Sequence, residues 1–98
     1  MKKINPIHPG EILKEEFMDP YSLSIQSLSR QIYVSPMRIS QIVNGKRSIT
    51  PDTALRLSIF FQTTPEFWLN LQNRYDLEIL KDSLETRNYG IKPYKQAV

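Results

Sequence analysis

The chain has 98 residues, 13 Lys plus Arg against 10 Asp plus Glu for a net charge of +3, a single His and no Cys. That length holds one modest core, and the composition removes disulfide scaffolds, thiol nucleophiles and Cys-based zinc sites. No apolar run approaches the roughly 20 residues that span a bilayer, and with 3 Gly there is neither a GxGxxG nor a GxxxxGK loop, so a soluble, cytoplasmic chain with no cofactor, metal or membrane partner is expected.

In chain order, His8-Pro9-Gly10-Glu11 opens a first helix, with Pro at the first position and an acid near the positive end of the dipole. Ile12, Leu13 and Phe17 form its apolar stripe, and Asp19-Pro20 stops it after Met18. Ser24 caps a second helix in which Ile25, Leu28 and Ile32 face inward. Three hydroxyl–proline pairs, Ser35-Pro36, Thr50-Pro51 and Thr64-Pro65, open the remaining helices, because the extended conformation before Pro is also that of an N-cap. The third helix turns Ile39, Ile42 and Val43 inward and closes at Asn44-Gly45; the fourth carries Ala54, Leu57, Ser58 and Phe61. The fifth runs for about 20 residues. No segment alternates as a strand does. The expectation is an all-α single domain of five helices, with a core over about 7–86 and an extended tail over 87–98.

The fifth helix has two apolar stripes. At about 100° per residue, Phe67, Trp68, Leu71, Tyr75 and Ile79 share one sector, while Leu69, Leu77, Leu80 and Leu84 fall on another. A small monomer buries one such face readily, so the second predicts a symmetric homodimer, the alternative being cover by the first helix or the tail.

Charge is partitioned along the chain. Residues 8–19 carry a net −3, whereas residues 30–56, with Arg30, Arg38, Lys46, Arg47 and Arg56 against Asp52, carry +4. Two short helices joined by a tight turn over Ser24 to Gly45, followed by the basic Lys46-Arg47, make a helix-turn-helix pattern. The stretch SIQSLSRQIYVSPMRISQIVNG resembles the helix-turn-helix of the Cro/C1-type (XRE) phage-repressor family, which has a lambda-repressor-like fold. HPGEIL, NGKRSITPDTALRLS and TPEFWLNLQNRYDL, in that order, resemble the HigA-type antitoxins, also called plasmid-maintenance antidote or virulence-associated protein I proteins. The resemblance covers about residues 7–80.

It implies that the recognition helix begins at Pro36 and presents Pro36, Met37, Arg38 and Gln41 to the major groove. Chemically, Arg can pair with guanine O6 and N7, Gln with adenine N6 and N7, and Met can touch a thymine methyl. Ser24, Gln26, Ser35, Asn44, Lys46 and Arg47 would hold the phosphates. The chain departs from the repressor pattern at Tyr33, where many relatives have Gly in the turn, and at Ile25, where many have Gln, with Gln26 one residue later. A non-Gly residue in the left-handed conformation costs about 1 to 2 kcal/mol, so a rearranged turn is one alternative.

The function implied is sequence-specific binding of double-stranded DNA at a pseudo-palindromic operator, repression of the chain's own operon and neutralisation of a cognate HigB-like mRNA interferase. A stand-alone XRE-type regulator without toxin and a protein-interaction module are the alternatives. No nucleophile–base pair or ligand cluster points to an enzyme or a catalytic residue. His8 reads as a cap or packing residue, Glu15 and Glu16 as a solvated acidic face, and Trp68 with Phe67 as an aromatic core plug. Arg56 reads equally as an ion-pair partner or a phosphate contact.

Overall fold

The computed structural model describes residues 5–84 and 89–95, with the side chain of Leu84 outside the description. Among the described residues the elements are helical throughout. The first helix is composite: an α-helical turn, α1 (Pro9–Ile12), runs into a π-helix (Leu13–Met18) and a 3-10 turn (Asp19–Tyr21). It is followed by α2 (Ile25–Ile32), α3 (Pro36–Val43), α4 (Pro51–Phe61) and α5 (Pro65–Leu84). The five-helix, all-α expectation holds, and residues 89–95 carry neither helix nor strand. The rest of the expected tail, 87–88 and 96–98, lies outside the described residues.

The hydroxyl caps form as the local sequence dictates. Ser24, Ser35, Thr50 and Thr64 each accept a backbone N–H three residues on, at 3.0, 3.1, 3.4 and 3.1 Å. The π-winding of the first helix departs from the expected α-spacing. Its i to i+5 pitch, seen in the Asp19 N–H donating to the Lys14 carbonyl, brings residues five apart onto one face. Leu13 and Met18 are therefore the buried pair, while Ile12 and Phe17 are half-buried.

The core joins Leu13 and Met18 to Leu28, Ile32, Ile39, Ile42, Ile49, Ala54, Leu57 and Trp68. Trp68 is its largest side chain; it is fully buried and its indole N–H donates to Thr63 Oγ1 at 2.8 Å. Phe17 lies 4.8 Å from Trp68 and 5.1 Å from Phe61 between ring centroids, with Phe67 at the edge, 5.0 Å from Trp68. The aromatic-plug reading holds for Trp68, whereas Phe67 is 37% exposed and only covers its edge.

The inward stripe of α5 differs from the sequence reading at both ends. Leu69 is half-buried against the core and belongs to it, while Ile79, expected inward, is 45% exposed because α5 extends past the elements that cover its start. Gln72, a polar residue, takes a buried position between Trp68 and Tyr75.

One backbone contact sets how α3 meets the rest. A methyl group built on Gly10 would lie 1.7 Å from the carbonyl oxygen of Ile42, so α1 and the end of α3 approach closer than any side chain permits. Gly10→Ala is expected to force α3 off the first helix, a cost of about 1 to 3 kcal/mol, read as a fall in the urea midpoint at unchanged slope.

Candidate nucleic-acid interface

α3 is anchored by Ile39 and Ile42, both fully buried, and its opposite side is open. At about 100° per residue, Pro36, Met37, Ser40, Gln41 and Asn44 share the outward strip. Met37, at its centre, is 67% exposed. Asn44 Nδ2 lies 3.5 Å from Ser40 Oγ, one turn back. Ser40 was missed by sequence reasoning, although its i+3 spacing from Met37 was there to be read.

Arg38 falls on the flank of this strip. Its Nη1 donates to Asp52 Oδ2 at 3.1 Å, across to the first turn of α4. The same oxygen accepts from Arg56 Nε at 3.0 Å. Arg56 also reaches back with Nη1 to the carbonyls of Ile32 and Tyr33, at 2.8 and 3.3 Å. Of its two sequence readings, ion-pair partner is the one seen. The Asp52 carboxyl is held below its ordinary pKa, first by the Arg56 hydrogen bond and then, against some desolvation, by Arg38.

The turn between α2 and α3 is not rearranged. Tyr33 takes the left-handed conformation itself, φ 60° and ψ 46°, donating its N–H to the Ser29 carbonyl. The strain of about 1 to 2 kcal/mol is offset by the two carbonyl contacts from Arg56, which satisfy the end of α2. The phenol is 86% exposed.

The loop after α3 carries Lys46 and Arg47, both exposed. Gly45 turns it with φ of 73°, and the N–H groups of Gly45 and Lys46 bond the carbonyls of Ile42 and Gln41 at 3.0 and 2.8 Å. Farther on, Ile49 is buried and its N–H donates to Gln72 Oε1 at 2.7 Å, while Gln72 Nε2 donates to Asp76 at 2.9 Å. Gln72 thus ties the basic loop to α5, a role that sequence reasoning missed although Gln72 lies in the Trp68–Tyr75 sector.

Ser24, Gln26, Ser35 and Asn44 are exposed near the ends of α2 and α3. The oxygens of Ser24 and Ser35 are engaged as caps, leaving their hydroxyl hydrogens available to an acceptor. The helix-turn-helix thus offers a polar strip with exposed hydroxyl, amide and cationic groups around it.

His8 supports this surface from behind. Its Nδ1 accepts the Gly10 N–H at 2.9 Å, its ring meets Tyr75 edge-on at 4.8 Å between centroids, and it lies beneath Gly45. It is a cap and a packing residue, as its sequence context indicates. Among the described residues no group of His, Asp and Glu is arranged to hold a metal, and no helix is long and apolar enough to cross a membrane.

Such an arrangement, with a capped pair of short helices, a tight left-handed turn and an exposed second helix beside a basic loop, is that of a helix-turn-helix domain. The helix-turn-helix family model matches residues 14–68. The chain is 46% identical over 82 residues to virulence-associated protein I of Dichelobacter nodosus, across 84% of this chain and 76% of that one. A HigA-family addiction module antidote protein from Coxiella burnetii superposes with a TM-score of 0.84 at 49% identity, over 93% of this chain and 100% of that one. Pseudomonas aeruginosa antitoxin HigA, solved with the higBA promoter, superposes with a TM-score of 0.86 at 37% identity, over 92% and 99%. The chain belongs to the HigA antitoxin family of helix-turn-helix proteins.

Burial holds the His8 imidazole below its ordinary pKa of 6.5, with Asp76 pulling weakly the other way. The unfolded chain therefore binds the proton more readily than the folded one. The cap contributes fully above the ordinary value and is lost as pH falls through it toward the lower folded value. Between about pH 7.5 and 5, the melting temperature is expected to fall more steeply for the parent than for His8→Asn, which can cap without titrating; equal slopes in thermal melts would contradict the role.

Proposed function

We propose that this chain acts in the cytoplasm as the antitoxin of a two-component module, repressing its own operon and neutralising a small mRNA-cleaving toxin. The observation that carries the DNA-binding part is the strip of Pro36, Met37, Ser40 and Gln41 on an exposed helix face, with Lys46 and Arg47 beside it. Gln41 would read adenine and Met37 a thymine methyl, with Arg38 directed at guanine from the flank. Ser24, Gln26, Ser35, Asn44, Lys46 and Arg47 would hold the phosphates. Support comes from the similarity to a HigA solved with promoter DNA. The toxin half is supported by family membership alone.

The operator reader is a homodimer in this proposal. Leu77 and Leu80 are 51% and 41% exposed on the far side of α5, next to the exposed end of the inward stripe at Ile79. Leu84 continues the stripe in sequence, its side chain lying outside the described residues. Leu69 is used within its own chain. A two-fold pair would place two recognition helices in successive major grooves, about 34 Å apart.

Footprinting on the duplex upstream of its own gene is expected to show a two-fold symmetric protected site. Protection no tighter than on random duplex at the same salt would overturn specific repression. Copurification with the product of a neighbouring toxin-like reading frame tests the other half, and its failure leaves a stand-alone regulator. Gln41→Ala is expected to relax base preference by about 1 to 3 kcal/mol at one base pair, whereas Lys46→Ala weakens all sequences alike and lowers the salt slope by about one; competition titrations at several salt concentrations separate the two. Replacing both Leu77 and Leu80 with Lys is expected to give a folded monomer by sedimentation, with operator affinity reduced at least about tenfold by loss of the second half-site.

A further inference from the structure

Arg38 and Asp52 are fourteen residues apart and belong to different helices, yet their side chains form an ion pair. Asp52 is fixed from its other side by Arg56, which is itself tied to the carbonyls of Ile32 and Tyr33. A chain of bonds thus runs from the end of α2, through α4, to the flank of the recognition helix. An exposed ion pair contributes little to stability, and a carboxylate at the rim of a DNA-binding surface repels phosphate. Both considerations call for another use of Asp52.

The geometry supplies one. A guanidinium carries its five N–H donors in a fixed fork. Asp52 takes one donor, on Nη1, and leaves the Nε–Nη2 edge, which no bond among the described residues occupies. That edge presents two parallel donors, which is the pattern a bidentate pair with guanine O6 and N7 requires. Holding Nη1 restricts rotation of a long side chain before DNA arrives, so less freedom is lost on pairing.

We propose that Asp52 is a specificity-determining positioning residue: its carboxylate, anchored by Arg56, orients Arg38 so that the free edge of the guanidinium reads one guanine in each half-site. The proposal rests on the DNA-binding reading above. Removing the carboxylate has opposite effects on the two kinds of binding. Random duplex is held as well or better, because a negative charge is gone, whereas discrimination at the base read by Arg38 falls.

The test is selection from a randomised duplex library, followed by titration of the selected consensus and a scrambled duplex at one salt concentration. The parent, Asp52→Asn, Asp52→Ala, Arg38→Ala and the Asp52→Asn/Arg38→Ala pair are compared. Both Asp52 variants are expected to lose about five- to tenfold in the consensus-to-scrambled ratio, with the loss confined to one base pair per half-site. In the Arg38→Ala background Asp52→Asn is expected to change the ratio no further. An unchanged ratio in the Asp52 variants, or an equal loss with and without Arg38, overturns the proposal, since a carboxylate acting only through its charge or through folding has no need of Arg38. Failure of the parent itself to select any consensus would instead overturn the DNA-binding reading, and so the two failures are distinguishable.

Discussion

The closeness of Gly10 to the Ile42 carbonyl governs the placement of α3 and the basic loop that follows it. With a methyl position only 1.7 Å from that oxygen, the start of the first helix and the end of α3 meet backbone to backbone. That contact holds α3 at its C-terminal end, while Ile39 and Ile42 hold it from beneath. His8 completes the support, because the imidazole that caps the first helix also lies under Gly45, where α3 passes into the basic loop. A small core cannot fix a surface helix by area alone, and the lock between two backbones provides the definition that more apolar surface would give in a larger protein.

Polar groups then set the details. Gln72 fixes the loop through the Ile49 N–H, and Arg56 satisfies the carbonyls left at the end of α2, which stabilises a tyrosine in a conformation that favours glycine. Each joins elements distant in sequence, and each costs little because the alternative is a buried or strained backbone group without a partner. The same devices bond the caps, the loop and the flank of α3 within the chain, while Met37 on the outward strip is exposed.

Much of this was legible in the chain. The hydroxyl caps, the inward faces of α2, α3 and α4, the helix-turn-helix and the basic segment from Arg30 to Arg56 depend on spacing and neighbouring residues, and they were read correctly from them. The first helix was read as α-helical because its apolar spacing fits both windings, and only the packing of Met18 beside Leu13 selects the π form. Arg38 was counted among the base-reading residues without its bond to Asp52, since a pair across fourteen positions leaves no local signature. The inward stripe of α5 was misassigned at Leu69 and Ile79 because periodicity gives a side chain's direction but not how far the neighbouring elements extend.

By itself the sequence determined an all-α chain with a helix-turn-helix, its caps and its basic centre, because helix starts, stops and faces are set within a few residues by backbone sterics and apolar periodicity. It also carried the motifs that the chain shares with the HigA antitoxin family. The tertiary structure decided which side chains of α3 stand exposed, which arginine is held to its flank and which polar residue anchors the basic loop. Those outcomes depend on distances between Gly10 and Ile42, Arg38 and Asp52, and Ile49 and Gln72, and such distances exist only once the helices have packed.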